Sequence, residues 1–558
     1  MFETELKLHV PEAARRAVDA AVAAAASRRT HLQAIYFDTP DLRLAAAGIA
    51  LRLRKQGRRW VQTLKVGGPH AMQRLEHNAS LPEPKPVGSV PGIDPQRHAG
   101  TPGAQALALA IAARDGEASP PLVERYRTDI WRRHRALRAT GGVVELAFDQ
   151  GEIVAEDRRW PVCELEIELL RGQPGAVIDV AGRWLRRHGL WLDVRTKAER
   201  GERLARAVTE APAVKAQALQ LDAGMSPPGR PKGEYRSAQR EGCLMSPPGR
   251  PKGEYRSAQH EGPPVSVELA LHTVVANCLQ QILPNASEIA AGLYNDEHVH
   301  QLRVGLRRLR SALHFFEGWS AAIDSSWDER LSDLFGRLGA ARDRDALAAS
   351  LLPALRAAGA PLIELPPAPV VATPTELLRA VDANLTLLAL LGFVARAPAS
   401  FAAPAGAPVS DGPLSAAAAA PDPSLKARVA ERLQRWHVQV VRDAKRYAAL
   451  DDAARHTLRK RVKRLRYAAE FVAAMYGRKA VARYLARLAP AQDSLGRYND
   501  LCVGLAVYRS AVGDDPRAWF AIGWLSARRE VLLGESVAAL KEFVRCKAFW
   551  KGDSRGPS

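Results

Sequence analysis

Along this chain the hydrophobic and polar positions change period once. Up to about residue 210, short runs alternate charged and apolar residues at period two. Glu3, Glu5 and Lys7 alternate with Thr4, Leu6 and Leu8; Arg52 and Arg54 with Leu51 and Leu53; Glu164, Glu166 and Glu168 with Leu165, Ile167 and Leu169. Arg74/Glu76 and Arg125/Arg127 keep the same spacing. Residues two apart in a strand share a face, so each run predicts a strand with one charged and one apolar side. From about residue 265 the spacing lengthens to that of amphipathic helices rich in Ala, Leu and Arg.

Between the two regions lies a segment with no apolar face. MSPPGRPKGEYRSAQ occurs at 225–239 and again, unchanged, at 245–259. Two copies are too few for a stacked repeat array, and Pro, Gly, Ser and Lys dominate, so the segment reads as a flexible basic linker. A second Ala/Pro-rich stretch, 397–424, interrupts the helical half. The pattern therefore predicts a mixed domain over 1–210, a linker over 211–264 and a helical domain over 265–550.

For any single strand, an ordinary half-buried strand with a solvated outer face explains the alternation. The accumulation points further. Glu164, Glu166 and Glu168 would repel one another on an exposed face, whereas hard divalent cations take carboxylate oxygens. Arginines and lysines gathered opposite would grip phosphates. A barrel with a charged interior and an apolar exterior covered by helices would bring both sets together.

Glu3-x-Glu5-x-Lys7 at the N-terminus resembles the ExExK signature of the CYTH family, the triphosphate tunnel metalloenzymes. Tyr36-Phe37-Asp38-Thr39-Pro40, Gly48, Leu51-Arg52-Leu53-Arg54, Thr63-Leu64-Lys65, Glu164-Leu-Glu166-Ile-Glu168 and Thr196-Lys197-Ala-Glu-Arg200 follow in the order of that family. The resemblance implies an α+β domain: a closed antiparallel β-barrel whose tunnel binds triphosphate with Mg²⁺ or Mn²⁺. It makes Glu5, Glu166 and Glu168 the leading metal ligands, with Glu3 and Glu164 beside them. Lys7, Arg52, Arg54, Lys65, Arg74, Arg125 and Arg127, with Lys197 and Arg200, would hold the phosphates, and Lys7, Arg52 and Arg54 would act on the reacting group. Asp38, before Thr-Pro, reads as a turn residue. No GxxxxGK[ST] loop occurs, which favours a bare phosphate chain over a nucleotide.

The helical half contains a duplication. Stepping 100° per residue from His300 places His300, Arg303, Arg307, Arg310 and His314 within an arc of roughly 80°, with Leu302, Leu306, Leu309, Leu313 and Phe316 on another face. From His456 the same offsets give Arg459, Lys463 and Arg466, and the apolar positions Leu458, Val462, Leu465 and Ala469. Leu338-Gly339 and Leu495-Gly496 follow the two helices, each with an aspartate four residues on, Asp343 and Asp500. Glu470 stands where the first copy has His314. A solvated face accounts for single arginines. It accounts poorly for two copies keeping a histidine and three cations on one arc, where like charges at i,i+3 and i,i+4 destabilise a helix. A bound polyanion would relieve that repulsion.

These helices resemble the two motif helices of the CHAD family, the conserved-histidine α-helical domain, in His300-Gln-Leu-Arg303-Val-Gly-Leu-Arg307-Arg308-Leu-Arg310 and in His456-Thr-Leu-Arg459 through Lys463 to Arg466. The resemblance implies two pseudo-symmetric helical bundles with a basic groove for long-chain inorganic polyphosphate. His300, Arg303, Arg307, Arg310, His456, Arg459, Lys463 and Arg466 would be its contacts. CYTH followed by CHAD resembles the two-domain bacterial inorganic triphosphatases. The expected activity is metal-dependent hydrolysis of tripolyphosphate. The alternatives are a non-catalytic polyphosphate-binding, granule-targeting protein, or a CYTH activity on nucleoside or thiamine triphosphate, adenylate cyclisation included.

Composition agrees. Of 558 residues, 80 are Lys or Arg against 60 Asp or Glu, a formal charge of +20, which favours polyanionic partners. The low aromatic share of 6% argues against a base-stacking single-strand reader, and no helix-turn-helix or zinc spacing occurs, so nucleic acid is expected only as a non-specific polyanion. The five cysteines form no CxxC pair and read as thiols of a reducing compartment. A charged N-terminus without a signal pattern, and a longest uncharged apolar run of only Ala383 to Ala395, give the expectation of a cytoplasmic protein with no membrane partner, with association on polyphosphate granules as a further expectation.

Overall fold

The computed structural model describes residues 2–219 apart from short breaks (25, 58, 69, 83–85, 87–88 and 114–117), then 266–361, 372–396 and 425–551; for 340–350 it describes the backbone alone. The duplicated linker, the 397–424 insertion and the Asp343 side chain lie outside the described residues.

Eight antiparallel strands close into a barrel: β1 (Phe2–His9), β2 (Arg28–Asp38), β3 (Ile49–Gln56), β4 (Arg59–Gly67), β5 (Gln73–Leu81), β6 (Val123–Ala139), β7 (Gly142–Ala155) and β8 (Arg158–Gly172). Their order is β5-β4-β3-β2-β6-β7-β8-β1, and β1 returns to β5 with Glu3 opposite Arg74. The short β9 (Trp191–Leu192) pairs with the end of β1. The register sets Glu5 opposite Glu168 and Lys7 opposite Glu166, so the alternation of both strands turns the same chemistry inward.

The apolar set faces outward, and this is where the core lies. Leu6, Leu8, Leu146, Phe148, Leu165 and Ile167 are buried with Val177, Val180, Ala181 and Leu185 of α4 (Gly175–His188). Burying each such leucine contributes about 1.5–3 kcal/mol. Smaller helices α1 (Arg15–Val22), α2 (Arg43–Ala46) and α3 (Ala104–Ile111) cover other parts of the barrel. Helix α5 (Lys197–Ala205) opens on a reciprocal cap: the Glu199 N–H donates to Thr196 Oγ1 at 2.9 Å, and the Thr196 N–H donates to Glu199 Oε2 at 2.7 Å. Gly201 lets α5 lie on Tyr126, since a Cβ there would fall 2.2 Å from the ring.

The second half is helical: α6 (Val267–Ala291), α7 (Asp296–Phe316), α8 (Ser326–Ala357), α9 (Pro374–Arg379), α10 (Val381–Ala395), α11 (Leu425–Lys445), α12 (Asp452–Phe471), α13 (Arg478–Ala511) and α14 (Ala518–Val544). The two histidine-headed sequences are α7 and α12, capped by Asn295 and Asp451. Gly305 lets α7 approach α6, where a Cβ would meet Ile282 at 2.7 Å. Leu387, Leu388 and Leu391 of α10 share one continuous core with α4, so the two halves are not separately closed. Among the described residues, no helix is long and apolar enough to cross a membrane.

Candidate functional site

The inward faces of the strands line a cavity of about 1060 Å³. Of the residues singled out in the sequence, Glu3, Glu5, Lys7, Arg52, Arg54, Lys65, Arg74, Arg125, Glu166, Glu168 and Lys197 line it. A chain of ion pairs holds them. Lys65 Nζ is 2.8 Å from Glu3 Oε2 and 2.6 Å from Glu76 Oε2, and Arg74 Nη1 is 2.6 Å from Glu5 Oε1. Across the barrel, Lys197 Nζ is 2.7 Å from Asp149, 2.5 Å from Glu164 and 2.8 Å from Glu166. Arg132 grips Asp149 with two bonds of 2.7 Å and reaches Glu166 at 2.5 Å.

The electrostatics follow from burial among opposite charges. Burial drives the Glu166 carboxyl up, but Lys197, Arg132 and Lys7 outweigh it and hold it well below the usual carboxylate range. Burial also pushes Glu3 up to about 8, against Lys65 and with a hydrogen bond to Glu76, which itself is held low by Lys65 despite burial. Glu168 is pushed up to about 7 by burial, against Lys65 and reinforced by Glu145. Burial, then Arg52 and Arg132, brings Arg54 down to about 10. Arg52 donates to the Tyr36 hydroxyl at 2.9 Å, while its buried Nε has no partner among the described residues. Lys7 is buried and donates to the Arg195 carbonyl at 2.5 Å.

Three of the expected tunnel residues lie elsewhere. Arg127 points outward, 58% exposed, bound to Glu124 at 2.6 Å. Tyr126, Thr128, Ile130 and Arg132 take the inward positions of β6, so regular alternation turns Arg127 out; Arg125 reaches the cavity because the register irregularity between β2 and β6 at Tyr36/Phe37 falls beside it, so the two arginines do not share a face. Glu164 and Arg200 are buried beside Lys197 and do not line the cavity, Arg200 being bound to Glu164. Glu164 still belongs to an acidic trio, since one oxygen each of Asp149, Glu164 and Glu166 lies within 4.8 Å of the others.

Arg132, Asp149 and Glu145 also line the cavity and were missed. Glu145, Ala147 and Asp149 alternate in β7, which was a readable signal; Arg132 lies in a stretch with cations on both faces, where alternation carries none. Asp38 is a turn residue, accepting from the N–H groups of Thr39, Leu44 and Ala45.

In the helical half, α7 and α12 face one cleft of about 1020 Å³. His300, Arg303, Arg307, Arg310, His456, Arg459 and Lys463 line it, with Arg464, Lys460, Asn499 and Asp500. Arg303 and Arg307 stack over Phe335, at 4.8 and 5.2 Å from the ring centroid, and His456 Nδ1 lies 2.7 Å from Asn499 Oδ1. Burial first, then Arg307 and Arg459, bring Lys463 down to about 7, against Asp500. Arg466 is not among the lining residues; it pairs with Glu470 at 2.8 Å. Helix α12 is rotated relative to α7, so the arc facing the cleft runs from Arg459 through Lys463 to Arg464 and leaves Arg466 at its edge, where Glu470 captures it.

A closed antiparallel barrel with ion-paired carboxylates and cations inside, joined to helices that present a duplicated basic face, defines a tunnel protein with a polycationic helical partner. The chain carries a CYTH domain, matched at residues 1–202, followed by a CHAD domain, matched at residues 273–509. The inorganic triphosphatase of Haemophilus influenzae is 28% identical over 171 residues, 30% of this chain, and the match spans 44% of that relative's length. The CHAD domain of the plant Ricinus communis covers 60% of this chain and 97% of its own at 24% identity, with a TM-score of 0.40. A Hippeastrum protein described as having a dominant triphosphatase activity covers 35% of this chain and 93% of its own at 17% identity, with a TM-score of 0.25.

Proposed function

We propose that the tunnel hydrolyses inorganic tripolyphosphate to diphosphate and phosphate, and that the helical domain binds long-chain inorganic polyphosphate. The observation that carries the first part is the cation-lined barrel interior, in which Arg52, Arg54, Lys65, Arg74, Arg125 and Lys197 share one cavity with Glu3, Glu5, Glu166 and Glu168. The carboxylates are all-oxygen donors suited to a hard divalent cation. Glu5, Glu166 and Glu168, with Glu3, Asp149 and Glu164 beside them, would hold Mg²⁺ or Mn²⁺. When bound, the ion supplies Lewis-acid polarisation of a phosphoryl oxygen and neutralises charge.

This chain's own residues do the rest. Arg52, Arg54 and Lys7 neutralise the terminal phosphoryl oxygens as water adds to phosphorus and the bridging P–O bond breaks. Lys65, Arg74, Arg125 and Lys197 hold the leaving diphosphate and take up the charge it gains. Positioning and electrostatics of this kind supply most of the catalysis in phosphoryl transfer. Arg127 has no part in it.

The polyphosphate reading rests on the paired basic faces of α7 and α12 in one cleft. It would gather the protein on polyphosphate granules in the cytoplasm. The test is phosphate release from tripolyphosphate with Mg²⁺ or Mn²⁺, measured beside ATP, thiamine triphosphate and long-chain polyphosphate. Hydrolysis of tripolyphosphate that is lost in Glu5→Gln and in Arg52→Ala is expected. Activity that survives both substitutions, or a preference for a nucleotide, overturns the reading.

A further inference from the structure

The segment between β9 and α5 is held from both sides. On its inner side, Lys7 Nζ donates to the Arg195 carbonyl at 2.5 Å, and Thr196 caps the helix that carries Lys197 and Arg200. On its outer side, the helical domain holds it. The Leu192 N–H donates to Asn384 Oδ1 of α10 at 2.8 Å, and the Val194 N–H donates to Ser287 Oγ of α6 at 3.0 Å. Glu288, the next residue on α6, is 5% exposed; its Oε1 accepts from Arg203 of α5 at 2.6 Å, and its Oε2 is 3.5 Å from Arg195 Nη1. Arg195 is clamped in turn by Asp193 with bonds of 2.9 and 2.8 Å. The same helix α6 supplies Leu279, Gln280, Leu283 and Pro284 to the tunnel wall.

One carboxylate of the helical domain therefore contacts both Arg195 of the segment and Arg203 of α5, on either side of the turn that orients the tunnel cations Lys7 and Lys197 and the buried Arg200 beside them. We infer that Glu288 is a positioning residue for the tunnel reaction, through which docking of the helical domain sets the placement of Lys7, Lys197 and Arg200. The inference rests on the proposed triphosphatase reading and extends it: the helical domain is part of the tunnel's working geometry as well as a polyanion binder. A buried carboxylate bridging two arginines is hard to replace. Removing its charge leaves Arg203 without its carboxylate and Arg195 with Asp193 alone, which is expected to shift the Arg195–Thr196 backbone.

The experiment uses the full chain and three variants: Glu288→Gln, Ser287→Ala, and Glu288→Gln combined with Arg203→Gln. Three quantities are measured: kcat/KM for tripolyphosphate with Mg²⁺, calorimetric affinity for tripolyphosphate in EDTA, and Tm. Glu288→Gln is expected to lower kcat/KM about tenfold, because misplacing binding groups by a fraction of an ångström is costly to phosphoryl transfer. It is also expected to weaken metal-free binding about threefold, with the double variant no worse than the single one, since the two residues act through one contact. Ser287→Ala carries the same expectation at about threefold in kcat/KM, and serves if Glu288→Gln does not fold. A merely structural role would lower Tm and leave kcat/KM and affinity of the folded protein within twofold, and that result overturns the inference. If the unsubstituted chain releases no phosphate, the triphosphatase reading fails while the metal-free affinities still judge Glu288.

Discussion

Lys197 reaches from the first turn of α5 to Glu166, with Nζ 2.8 Å from Oε1, and the same ammonium bridges Asp149 and Glu164. A lysine thus sits at the centre of the acidic trio. Burial opposes its charge, but the three carboxylates hold it protonated well above the ordinary lysine range. The site is neutralised internally before any ligand binds, and a divalent cation must share or displace this ammonium.

Lys197→Met should therefore destabilise the chain by about 3–5 kcal/mol without divalent cations, because it leaves buried carboxylates unpaired. Part of that loss should return with Mg²⁺, which can neutralise the same oxygens. Thermal unfolding with EDTA and with Mg²⁺ checks this. A Tm increase from Mg²⁺ no larger in Lys197→Met than in the unsubstituted chain would contradict it.

Arg127 and Arg52 should separate in assay. Arg127, exposed and bound to Glu124, belongs to the outer surface, where an ion pair is worth about 0–1 kcal/mol, so Arg127→Ala should leave tripolyphosphate turnover within about twofold. Arg52→Ala removes a cation that lines the cavity, and should lower kcat/KM by about 10²-fold or more. Steady-state kinetics on both variants decide, and equal losses would count against the inside–outside assignment.

In the helical cleft, Arg464→Ala should weaken polyphosphate binding more than Arg466→Ala. Arg464 lines the cleft, whereas Arg466 is held by Glu470. Loss of one phosphate contact is expected to reduce the slope of log affinity against log salt by roughly one for Arg464→Ala and to leave it nearly unchanged for Arg466→Ala. Salt titrations of polyphosphate affinity read this directly.

Polyphosphate binding should also fall as pH rises. With its pKa brought down to about 7, Lys463 is cationic below that pH and neutral above it, so affinity should drop between about pH 6 and 8 and binding at pH 8 should take up a proton. Between pH 7 and the ordinary lysine range the unfolded chain holds the proton that the folded cleft has lost. On this group's account, stability of the ligand-free protein therefore rises with pH over that window. Lys463→Met should flatten the pH dependence of binding, and calorimetry in buffers of different ionisation heat would detect the proton. An unchanged slope would sink the assignment.

The linear order of residues was enough to determine the two kinds of element, the inward charge and the duplicated helix. Glu5 and Lys7 alternate with Leu6 and Leu8, and one backbone period forces them onto opposite faces of β1. Arg303 and Arg307 lie one helical turn apart on α7, with Leu302 and Leu306 on another face. Such facts follow from local geometry, which needs no knowledge of neighbours. What only the tertiary structure decided depends on neighbours. An irregular register with β2 separates Arg125 from Arg127 and leaves Arg127 outside, the rotation of α12 hands Arg466 to Glu470, and Arg132, in a stretch with cations on both faces, enters the tunnel only because β6 closes the barrel. The grip of Glu288 on the segment behind Lys7 joins residues far apart in the chain through one packed interface, and no periodicity along a single strand or helix records a contact of that kind.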